Sequence, residues 1–566
     1  MHTRSPRHAA DLLRRALATP PGMQLMQRAF ITPAHQRLTW ALADPFAAQN
    51  ATLARLLRHG AGTRFGREHG LTPERSAAEF RARVPVRRYE DLAPYIDAIY
   101  RDGEPNVLWP GRVTRFAESS GTSGGHKLVP LPADGVNWVY RRPGAQYMAH
   151  LLGRMDAPRF VRGRTVFFVG GVRRPDHNPA LLVGNITAVN VAEMRWYHDI
   201  FRAPDRATTL IPNWEERLER MAEQTLHQDI VHLAGMPTWI QRFGEIVLAM
   251  SGKPALRAVW PNLQAMTIGG VTPAPYRAGL NQLVHGAPAD APDLLLNEVF
   301  NATEGFYAAQ LDAGDMALLP DAGIFHEFIP ADDARAGRYE SAVGLDAVEL
   351  DREYAMVIST GVGLWRFLNG DTVRFTSRAP FRLRVAGRVS QFLNVTAEKL
   401  QVENADRAMA DVCAALGVRL VDYTATALRW TDGRVHAAHL WLVEVDGTCA
   451  PAEFARRLDD AVGRHCADYP RLRAAGVTSG ASFGLDAPLV LLLPRGHVGR
   501  WLRQRYGAQL NAQSKLPRLG PEHDVARALL MLLSADELAQ ATAHLPAAAR
   551  AQVHAMAAAQ SRMAAM

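Results

Sequence analysis

One pattern recurs through the middle of this chain and constrains its fold more than any other. A short apolar run ends in a glycine-rich loop, and a helical pattern follows; three such runs are residues 165–169, 230–234 and 265–268. Strands that alternate with helices in this way are typical of a parallel β-sheet. Because ligands of such sheets bind at the carboxyl ends of the strands, we expect the loops after these runs to line one site.

The flanking regions carry different patterns. Leucines at helical spacing predict helices over residues 8–82, and β signals dominate residues 325–393. Beyond them the chain alternates helix, strand, strand and helix, at residues 402–416, 419–430, 436–445 and 451–466. An Ala-rich stretch at 534–566 is helical by propensity.

These patterns predict an α/β fold with two domains, since 566 residues exceed one ordinary core. We expect residues 1–388 to form a large N-terminal domain with mainly parallel sheets and a β-rich part. Residues 389–566 are expected to form a smaller, mobile C-terminal α+β domain.

The composition excludes several classes of protein. Apolar residues make up 48% and charged residues 21% of the chain, as in soluble globular proteins. The net charge of +8 is dispersed, without a basic block interleaved with aromatics, so no nucleic-acid partner is expected. Three cysteines without metal-like spacing, no signal peptide and no long apolar run predict a cytoplasmic protein with no membrane partner. We also expect a monomer.

Residues 118–128 carry the first motif that points to chemistry. After a strand-like run at 113–117, glycines alternate with hydroxyl residues: Ser119, Ser120, Gly121, Thr122, Ser123, Gly124 and Gly125. Glycines let successive N–H groups point into one concavity, which suits a polyphosphate. The motif is not a Walker loop, because Lys127 is followed by Leu128. A flexible surface connection is the alternative interpretation.

The second motif is Asn301-Ala302-Thr303-Glu304-Gly305, at the end of an apolar run. A carboxylate beside a hydroxyl suits Mg²⁺, which binds a few carboxylates together with phosphate oxygens. Glu304 is therefore a candidate metal ligand and Thr303 a candidate phosphate donor. A solvated glutamate in a turn is the plainer alternative.

Two further candidates follow along the chain. Asp371 comes after Gly370 in what we predict to be a tight turn between two strands, where a carboxylate can accept two hydroxyls of a ribose. The alternative is a hairpin turn whose residues only shape the reversal. Arg388 follows Gly387, and a surface charge is its plainer interpretation.

Taken in this order, the motifs resemble the auxin-responsive Gretchen Hagen family of acyl-acid amido synthetases, a branch of the adenylate-forming superfamily. The matching segments are residues 119–125 with Lys127, Thr303-Glu304, residues 365–368 with 370–373, and residues 511–518 around Lys515. Resemblance extends over roughly residues 50–525 and suggests a bacterial-type member. His126 and the stretch 534–566 depart from the family pattern, and the plant hormone pocket is not recognisable.

The resemblance implies two half-reactions: ATP activates a carboxylic acid as an acyl-adenylate, releasing pyrophosphate, and an amino acid amine then displaces AMP. Ser119, Ser120, Gly121, Thr122 and Ser123 would bind the ATP phosphates. Thr303 would contact the α-phosphate, Glu304 would hold Mg²⁺, and Asp371 would bind the ribose.

The resemblance also places Arg388 near the ribose or a phosphate, and Lys515 where it offsets charge on the α-phosphate; a solvated surface lysine is the alternative for Lys515. The acid pocket should be apolar, and its candidates, which would fit an ordinary core equally well, are Met236, Trp239, Val271, Phe300 and Phe306. A ligase that forms an acyl-CoA thioester is the alternative function. A protein that binds ATP without catalysis is a further one.

Overall fold

A computed structural model describes residues 6–120, 126–194, 196–291, 293–396, 398–432, 435–478, 484–520 and 522–558. The chain divides into two compact units. The N-terminal unit comprises Met1–Val271, Leu283–Val385 and Asn511–Gln513. The C-terminal unit comprises Thr272–Gln282, Ala386–Leu510 and Ser514–Met566. The sequence-based boundary at 388/389 stays a prediction.

The helices are distributed along the whole chain. In order they are α1 Pro6–Leu17, α2 Pro20–Met26, α3 Thr32–Ala43, α4 Pro45–Gly60, α5 Arg64–Glu68, α6 Ala77–Arg83, α7 Tyr89–Tyr100, α8 Ala133–Val136, α9 Arg142–Leu152, α10 Ala157–Arg162, α11 Ile186–Ala192, α12 Arg206–Thr209, α13 Trp214–Thr225, α14 Pro237–Ser251, α15 Leu256–Val259, α16 Arg277–His285, α17 Ala331–Arg335, α18 Val402–Leu416, α19 Pro451–His465, α20 Tyr469–Thr478, α21 His497–Tyr506, α22 Asp524–Leu530, α23 Ala535–Thr542 and α24 Ala547–Ala558.

The strands begin after the N-terminal helices. They are β1 Arg115–Ser120, β2 His126–Pro130, β3 Arg164–Phe167, β4 Val172–Arg173, β5 Leu182–Gly184, β6 Arg202–Ala203, β7 Ile230–Gly235, β8 Ala265–Gly269, β9 Leu295–Ala302, β10 Gly305–Ala309, β11 Met316–Leu318, β12 Ile324–Pro330, β13 Glu353–Thr360, β14 Phe367–Arg378, β15 Phe381–Arg388, β16 Arg419–Thr431, β17 Val435–Asp446, β18 Leu489–Leu492 and β19 Leu519–Gly520.

One large sheet organises the N-terminal unit. Its eleven strands run in the order β12-β13-β14-β15-β11-β10-β9-β8-β7-β3-β6. The pairs β6-β3, β3-β7, β7-β8 and β8-β9 are parallel, which confirms the pattern of strands that end in glycine loops. The predicted β-rich part continues the same sheet with antiparallel pairing from β9 onward. Parallel pairing is therefore confined to one half of the sheet.

A second, four-stranded sheet in the same unit has the order β2-β1-β5-β4. In it β1 pairs antiparallel with β2, with Ser119 opposite Lys127 and Ser120 opposite His126. The glycine-rich motif thus joins two strands of a hairpin rather than a strand and a helix. The strand also extends further into the motif than predicted, to Ser120.

The predicted helical region is confirmed and begins with well-capped helices. The side chains of Asp44 and Thr63 accept hydrogen bonds from the first turns of α4 and α5 at 3.0 and 2.9 Å. Ser76 and Glu79 form a capping box at α6. Caps of this kind satisfy N–H groups that lack partners within the helix.

The core between these helices and the antiparallel half of the sheet is aromatic. The ring of Trp365 lies 5.9 Å from that of Phe65 and 6.3 Å from that of Trp109, with all three side chains buried. Gly60 lies against Trp365, because a Cβ atom there would meet the indole at 2.4 Å. This packing fixes α4 and α5 against the segment that precedes β14.

The C-terminal unit confirms the helix–strand–strand–helix pattern. The long hairpin β16-β17 forms the middle of a sheet with the order β18-β17-β16-β19, and α18 packs against α19. Both outer strands run parallel to their neighbours. Within the described ranges, none of the helices has the length and apolarity needed to cross a membrane.

Candidate active site

The second motif forms the turn of a tight hairpin. Ala302 at the end of β9 pairs with Gly305 at the start of β10, so Thr303 and Glu304 are the two residues between the strands. The apolar run before this motif was expected to lead into a helix, as the other runs do. That prediction was wrong, because strand β10 follows instead. Thr303 is buried, whereas the side chain of Glu304 is partly exposed. The turn therefore presents one carboxylate beside a fixed backbone.

Two tyrosines surround this turn. The hydroxyl of Tyr140, on a helical segment before α9, donates a hydrogen bond to the carbonyl oxygen of Thr303. Burial, and then the carboxylate of Glu304, raise the pKa of Tyr140 well above its usual 10. The phenol therefore stays neutral at physiological pH and holds the turn as a hydrogen-bond donor.

The segment around Asp371 meets the second motif at another buried phenol, that of Tyr307. Tyr307, on β10, is fully buried, and its pKa is raised well above 10 by burial and then by the carboxylates of Glu304 and Asp371. Both carboxylates must lie near one hydroxyl to act on it in this way. Two motifs that are far apart in sequence thus converge in the N-terminal unit.

Asp371 is not in a turn between two strands, so that prediction was wrong. Residues 369–371 lie inside β14, where the register to β13 shifts between Leu368 and Thr372. This is a β-bulge, and Gly370 takes the left-handed φ of +86° that the bulge requires. The amide of Asp371 donates to the side chain of Asn369 at 3.0 Å, and the Asp371 side chain is 9% exposed.

The hairpin of the first motif is anchored on both sides. Glu118 forms an ion pair with Arg173 at 2.5 Å. Lys127 lies 5.2 Å from the ring centre of Tyr89 and 4.0 Å from Glu90. The side chains of Ser119 and Ser120, and residues Gly121, Thr122 and Ser123, lie outside what the structure describes.

Helix α11 connects this hairpin to the second motif. It packs against β1 and β5 of the small sheet. Its first turn is capped by the side chain of Asn185, which accepts a hydrogen bond from the amide of Thr187 at 3.0 Å. Gly170 leaves room for this cap, since a Cβ atom there would lie 2.3 Å from that of Asn185. The glycine loop after β3 thus positions the start of α11.

A cavity of about 210 Å³ opens between α11 and the Thr303-Glu304 turn. Its lining combines amides, hydroxyls and apolar groups, from Tyr140, Ile186, Thr187, Asn190, Asn301, Ala302, Phe306 and Gln513. All of these residues belong to the N-terminal unit. The cavity is mixed in polarity.

The five predicted pocket residues do not come together around this cavity. Phe306 lines it. The ring of Phe300 lies 4.9 Å from that of Tyr307, and Trp239 packs edge-on against Trp214 at 4.8 Å. Val271 lies in the loop after β8, and Met236 packs beside the residue before it, since a Cβ atom at Gly270 would lie 3.2 Å from the Met236 side chain.

The wall behind Phe306 is a buried polar layer. Phe306 packs edge-on against Tyr147, whose hydroxyl lies 2.9 Å from that of Thr267. The same hydroxyl of Thr267 lies 2.8 Å from Nε2 of His232. Burial lowers the pKa of His232 to about 4 and raises that of Tyr147 to about 12, so both rings are neutral near neutral pH. This layer supports the cavity without placing charge beside it.

Arg366, in the segment 365–368 that resembles the family, has a structural role. Arg366 and Glu327 form a buried two-pronged ion pair, with N–O distances of 2.9 and 3.0 Å. Arg366 also donates to the carbonyl oxygens of Arg81 and Val84 at 2.9 and 2.6 Å. The pair ties β12 and the segment before β14 to the end of α6.

The last two predicted site residues belong to the C-terminal unit. Arg388 ends β15, and its carbonyl oxygen accepts from the amide of Gln391 at 3.1 Å. Lys515 is exposed, and its carbonyl oxygen accepts from the hydroxyl of Tyr506 at 3.4 Å.

Sequence reasoning missed most of the cavity residues. Asn301 and Ala302 lie within the second motif and Gln513 lies two residues before Lys515, so their neighbours carried a signal. Tyr140, Thr187 and Asn190 carried none, because they lie on helices whose patterns indicate only packing. Their role follows from the three-dimensional position of the helices.

Comparison with known proteins agrees with this arrangement. Two family models match the chain: the GH3 family N-terminal domain at residues 34–206 and the GH3 family central domain at residues 317–388. Indole-3-acetic acid-amido synthetase GH3.8 from Oryza sativa subsp. indica is 25% identical over 453 residues, which cover 67% of this chain and 73% of that protein. Jasmonoyl--L-amino acid synthetase JAR4 from Nicotiana attenuata is 23% identical, covering 67% and 76%.

A solved structure of the GH3.15 acyl acid amido synthetase superposes with a TM-score of 0.68 and 16% identity, covering 87% of this chain and 94% of that one. Sheet order and the C-terminal unit thus match the mixed α/β fold of that structure. The chain is similar to the GH3 family of amido synthetases, the Gretchen Hagen family that its motifs resemble.

Proposed function

We propose that this chain activates a carboxylic acid with ATP, forming an acyl-adenylate and pyrophosphate, and then transfers the acyl group to the amine of an amino acid, releasing AMP. One observation carries the proposal: the carboxylates of Glu304 and Asp371, from separate motifs, act on the same buried phenol of Tyr307. A site that grips one nucleotide needs this convergence. The bacterial type and the monomeric state stay predictions.

Each of the predicted residues would contact a different part of ATP. The hairpin loop with Ser119, Ser120, Gly121, Thr122 and Ser123 would bind the phosphates through N–H and hydroxyl donors. Thr303 would contact the α-phosphate, and Asp371 would accept the ribose hydroxyls. Positioned donors of this kind stabilise the charge that develops as the acid attacks phosphorus.

The donors around the turn also fit Mg²⁺. Within the described ranges, no group of three or more His, Cys, Asp or Glu side chains is arranged to hold a metal ion. Magnesium bound with ATP needs no such cage, because one or two carboxylates and the phosphate oxygens suffice. Glu304 supplies one partly exposed carboxylate, and the metal would neutralise charge on the phosphates. Tyr140 keeps the turn in place through the Thr303 carbonyl.

The two remaining residues would act from the C-terminal unit. Arg388 would reach the ribose or a phosphate, and Lys515 would offset charge on the α-phosphate during adenylation. We propose that the cavity beside the turn takes part of the acid. Its amide and hydroxyl groups favour an acid that carries a hydrogen-bonding group besides the carboxylate.

Acid-dependent exchange of labelled pyrophosphate into ATP tests the proposal. The acids in the names of relatives, indole-3-acetic acid and jasmonic acid, start the screen, followed by smaller hydroxylated acids. The best acid is then combined with amino acids or with coenzyme A. We expect exchange with at least one acid and AMP release with an amino acid. Release with coenzyme A alone would identify a thioester-forming ligase instead, and ATP binding without any exchange would identify a catalytically silent protein.

A further inference from the structure

A buried ionic cluster in the C-terminal unit has no part in the reaction described above. Its centre is Arg518, which is 7% exposed. The guanidinium forms ion pairs with Asp422 and, at 3.3 Å, with Asp406. It lies 4.5 Å from the ring centre of Tyr423 and donates to the hydroxyl of Tyr276. We call these five residues the Arg518 cluster.

The cluster joins four separate pieces of the C-terminal unit. Asp406 lies on α18, Asp422 and Tyr423 on β16, Tyr276 on the turn before α16, and Arg518 before β19. Tyr423 donates to Asp406 at 2.7 Å, and Tyr276 donates to Asp422 at 3.3 Å. Two carboxylates thus face one guanidinium, and both tyrosine hydroxyls are bonded within the Arg518 cluster. Such a buried network holds its pieces in place, because leaving one of its groups unpaired is costly.

Lys515 lies on the segment that the Arg518 cluster holds. Burial raises the pKa of Asp406, while the charge of Arg518, and to a lesser degree that of Lys515, act to lower it. Lys515 itself is exposed, whereas Ser514, Leu516 and Arg518 around it are buried. Burial thus alternates along this irregular segment, and Lys515 is its exposed residue.

The backbone around Arg518 fixes this alternation. The carbonyl oxygen of Arg518 accepts from the amide of Ala425 at 2.9 Å, and Leu519 pairs with Ala425 in the parallel ladder of β16 and β19. Lys515 lies only three residues before Arg518 in the sequence. A displacement of Arg518 would therefore also displace Lys515.

We propose that Arg518 is a positioning residue for Lys515. The Arg518 cluster fixes the segment that carries the lysine, and so fixes the direction in which the exposed lysine points. The inference rests on the role of Lys515 in the proposed adenylation step. Arg518 itself touches neither ATP nor acid in this scheme.

A double-mutant cycle separates positioning from plain stabilisation. We expect Arg518→Lys, which keeps the charge but loses the forked geometry, to lower the kcat of pyrophosphate exchange about ten-fold with little change in the KM for ATP. In a Lys515→Ala background the same change should cost less than about twofold, because there is no lysine left to position. Equal losses in both backgrounds would overturn the proposal.

Two further variants show whether a loss of activity in the cycle comes from misfolding. Tyr276→Phe removes only one hydroxyl from the Arg518 cluster and should show the same non-additivity with a smaller loss. Arg473→Lys is the matched control: it breaks a comparable forked pair with Asp459 in the same unit, at 2.6 and 2.8 Å, and should leave exchange unchanged.

Chemical labelling tests the placement of Lys515 without any catalysis. Trace acetylation of the full chain near pH 8, read by mass spectrometry, compares Lys515 with the exposed Lys253 as internal reference. Arg518→Lys should change the labelling rate of Lys515 relative to Lys253 about twofold or more, since the segment that carries the amine is no longer held. An unchanged rate would contradict the proposal even if the enzyme proved inactive. If wild-type protein catalyses no exchange, the proposed function fails while this measurement still stands.

Discussion

The partly exposed carboxylate of Glu304 lies in a turn that does not depend on it, so its replacement tests chemistry rather than folding. The turn that carries it is held by the backbone pairing of Ala302 with Gly305 and by Tyr140, not by the carboxylate itself. A neutral amide of the same size should therefore leave the hairpin folded.

We predict that Glu304→Gln lowers acid-dependent pyrophosphate exchange about 100-fold or more while the melting temperature stays unchanged. The reason is the loss of a negative ligand for Mg²⁺ rather than a change in shape. Exchange assays over a range of magnesium concentrations and a thermal melt check both parts. Glu340→Gln, at an exposed glutamate, is the control and should behave as wild type. Wild-type exchange in Glu304→Gln would remove the metal role from this residue.

The phenol of Tyr140 offers a second prediction at the same scale. Tyr140→Phe deletes the donor to the Thr303 carbonyl, and a buried carbonyl without its partner costs about 1–3 kcal/mol. We expect a lower unfolding free energy together with slower exchange, because the turn can then shift. Chemical denaturation and exchange rates report the two effects. Tyr339→Phe serves as the control, and a variant as active and as stable as wild type would show that the hydrogen bond is dispensable.

At the scale of elements, the ion pair of Arg366 and Glu327 connects β12 to the segment before β14 and to the end of α6. Its side chains are 6% and 0% exposed. Burial raises the pKa of Glu327, while the charge and hydrogen bonds of Arg366 act to lower it. Removing one partner leaves an uncompensated group in the core.

We therefore predict that Arg366→Met lowers the unfolding free energy by about 3–5 kcal/mol. Combining it with Glu327→Met should restore part of this loss, since the second change removes the unpaired carboxylate. Urea denaturation of the single and double variants measures both. Arg456→Met, which breaks the exposed pair with Glu453, should hardly change stability. A double variant less stable than Arg366→Met alone would contradict the unpaired Glu327 carboxylate as the cause of the loss.

The elements also show how far the sequence could be interpreted. Helices α18 and α19 and strands β7 and β8 were predictable, because local periodicity and glycine loops determine them. The bulge at 369–371 was not, because Asn-Gly-Asp is equally typical of a hairpin turn and only the pairing with β13 decides. The hairpin at Thr303-Glu304 was not predictable either, because only the pairing of β9 with β10 shows that a strand follows the turn. Thr187 and Asn190 in the cavity depend on the packing of α11, which no local pattern encodes.

At the scale of the whole molecule, the chain changes unit at 271/272, 282/283, 385/386, 510/511 and 513/514. Composition indicates one change of pattern near residue 390, but segment 272–282 joins the C-terminal unit through Tyr276 and its buried partners. Side-chain contacts between distant segments determine such crossings, so a one-dimensional pattern cannot show them. The motif residues are thus spread over more pieces of chain than a single boundary suggests.

The stability of the C-terminal unit against acid depends on a carboxylate near its start. Glu398 is buried and accepts hydrogen bonds from the amides of Val395 and Thr396 at 2.6 and 2.8 Å and from Nε2 of His439 at 2.9 Å. Burial alone would raise its pKa, but these partners outweigh burial and lower it from 4.5 to about 2. A depressed pKa means that the folded state favours the ionised form.

The ionised form of Glu398 therefore stabilises the protein above pH 4.5, and this contribution is lost as the pH falls toward 2. At 1.36 kcal/mol per pKa unit, the shift corresponds to about 3 kcal/mol. We predict that Glu398→Gln lowers the unfolding free energy by about that amount at neutral pH, and that the gap to wild type closes as the pH falls through this window. Denaturation curves between neutral pH and the acid limit test it, with Glu340→Gln as the control. A gap that stays constant with pH would mean that Glu398 stabilises the fold by packing rather than by charge.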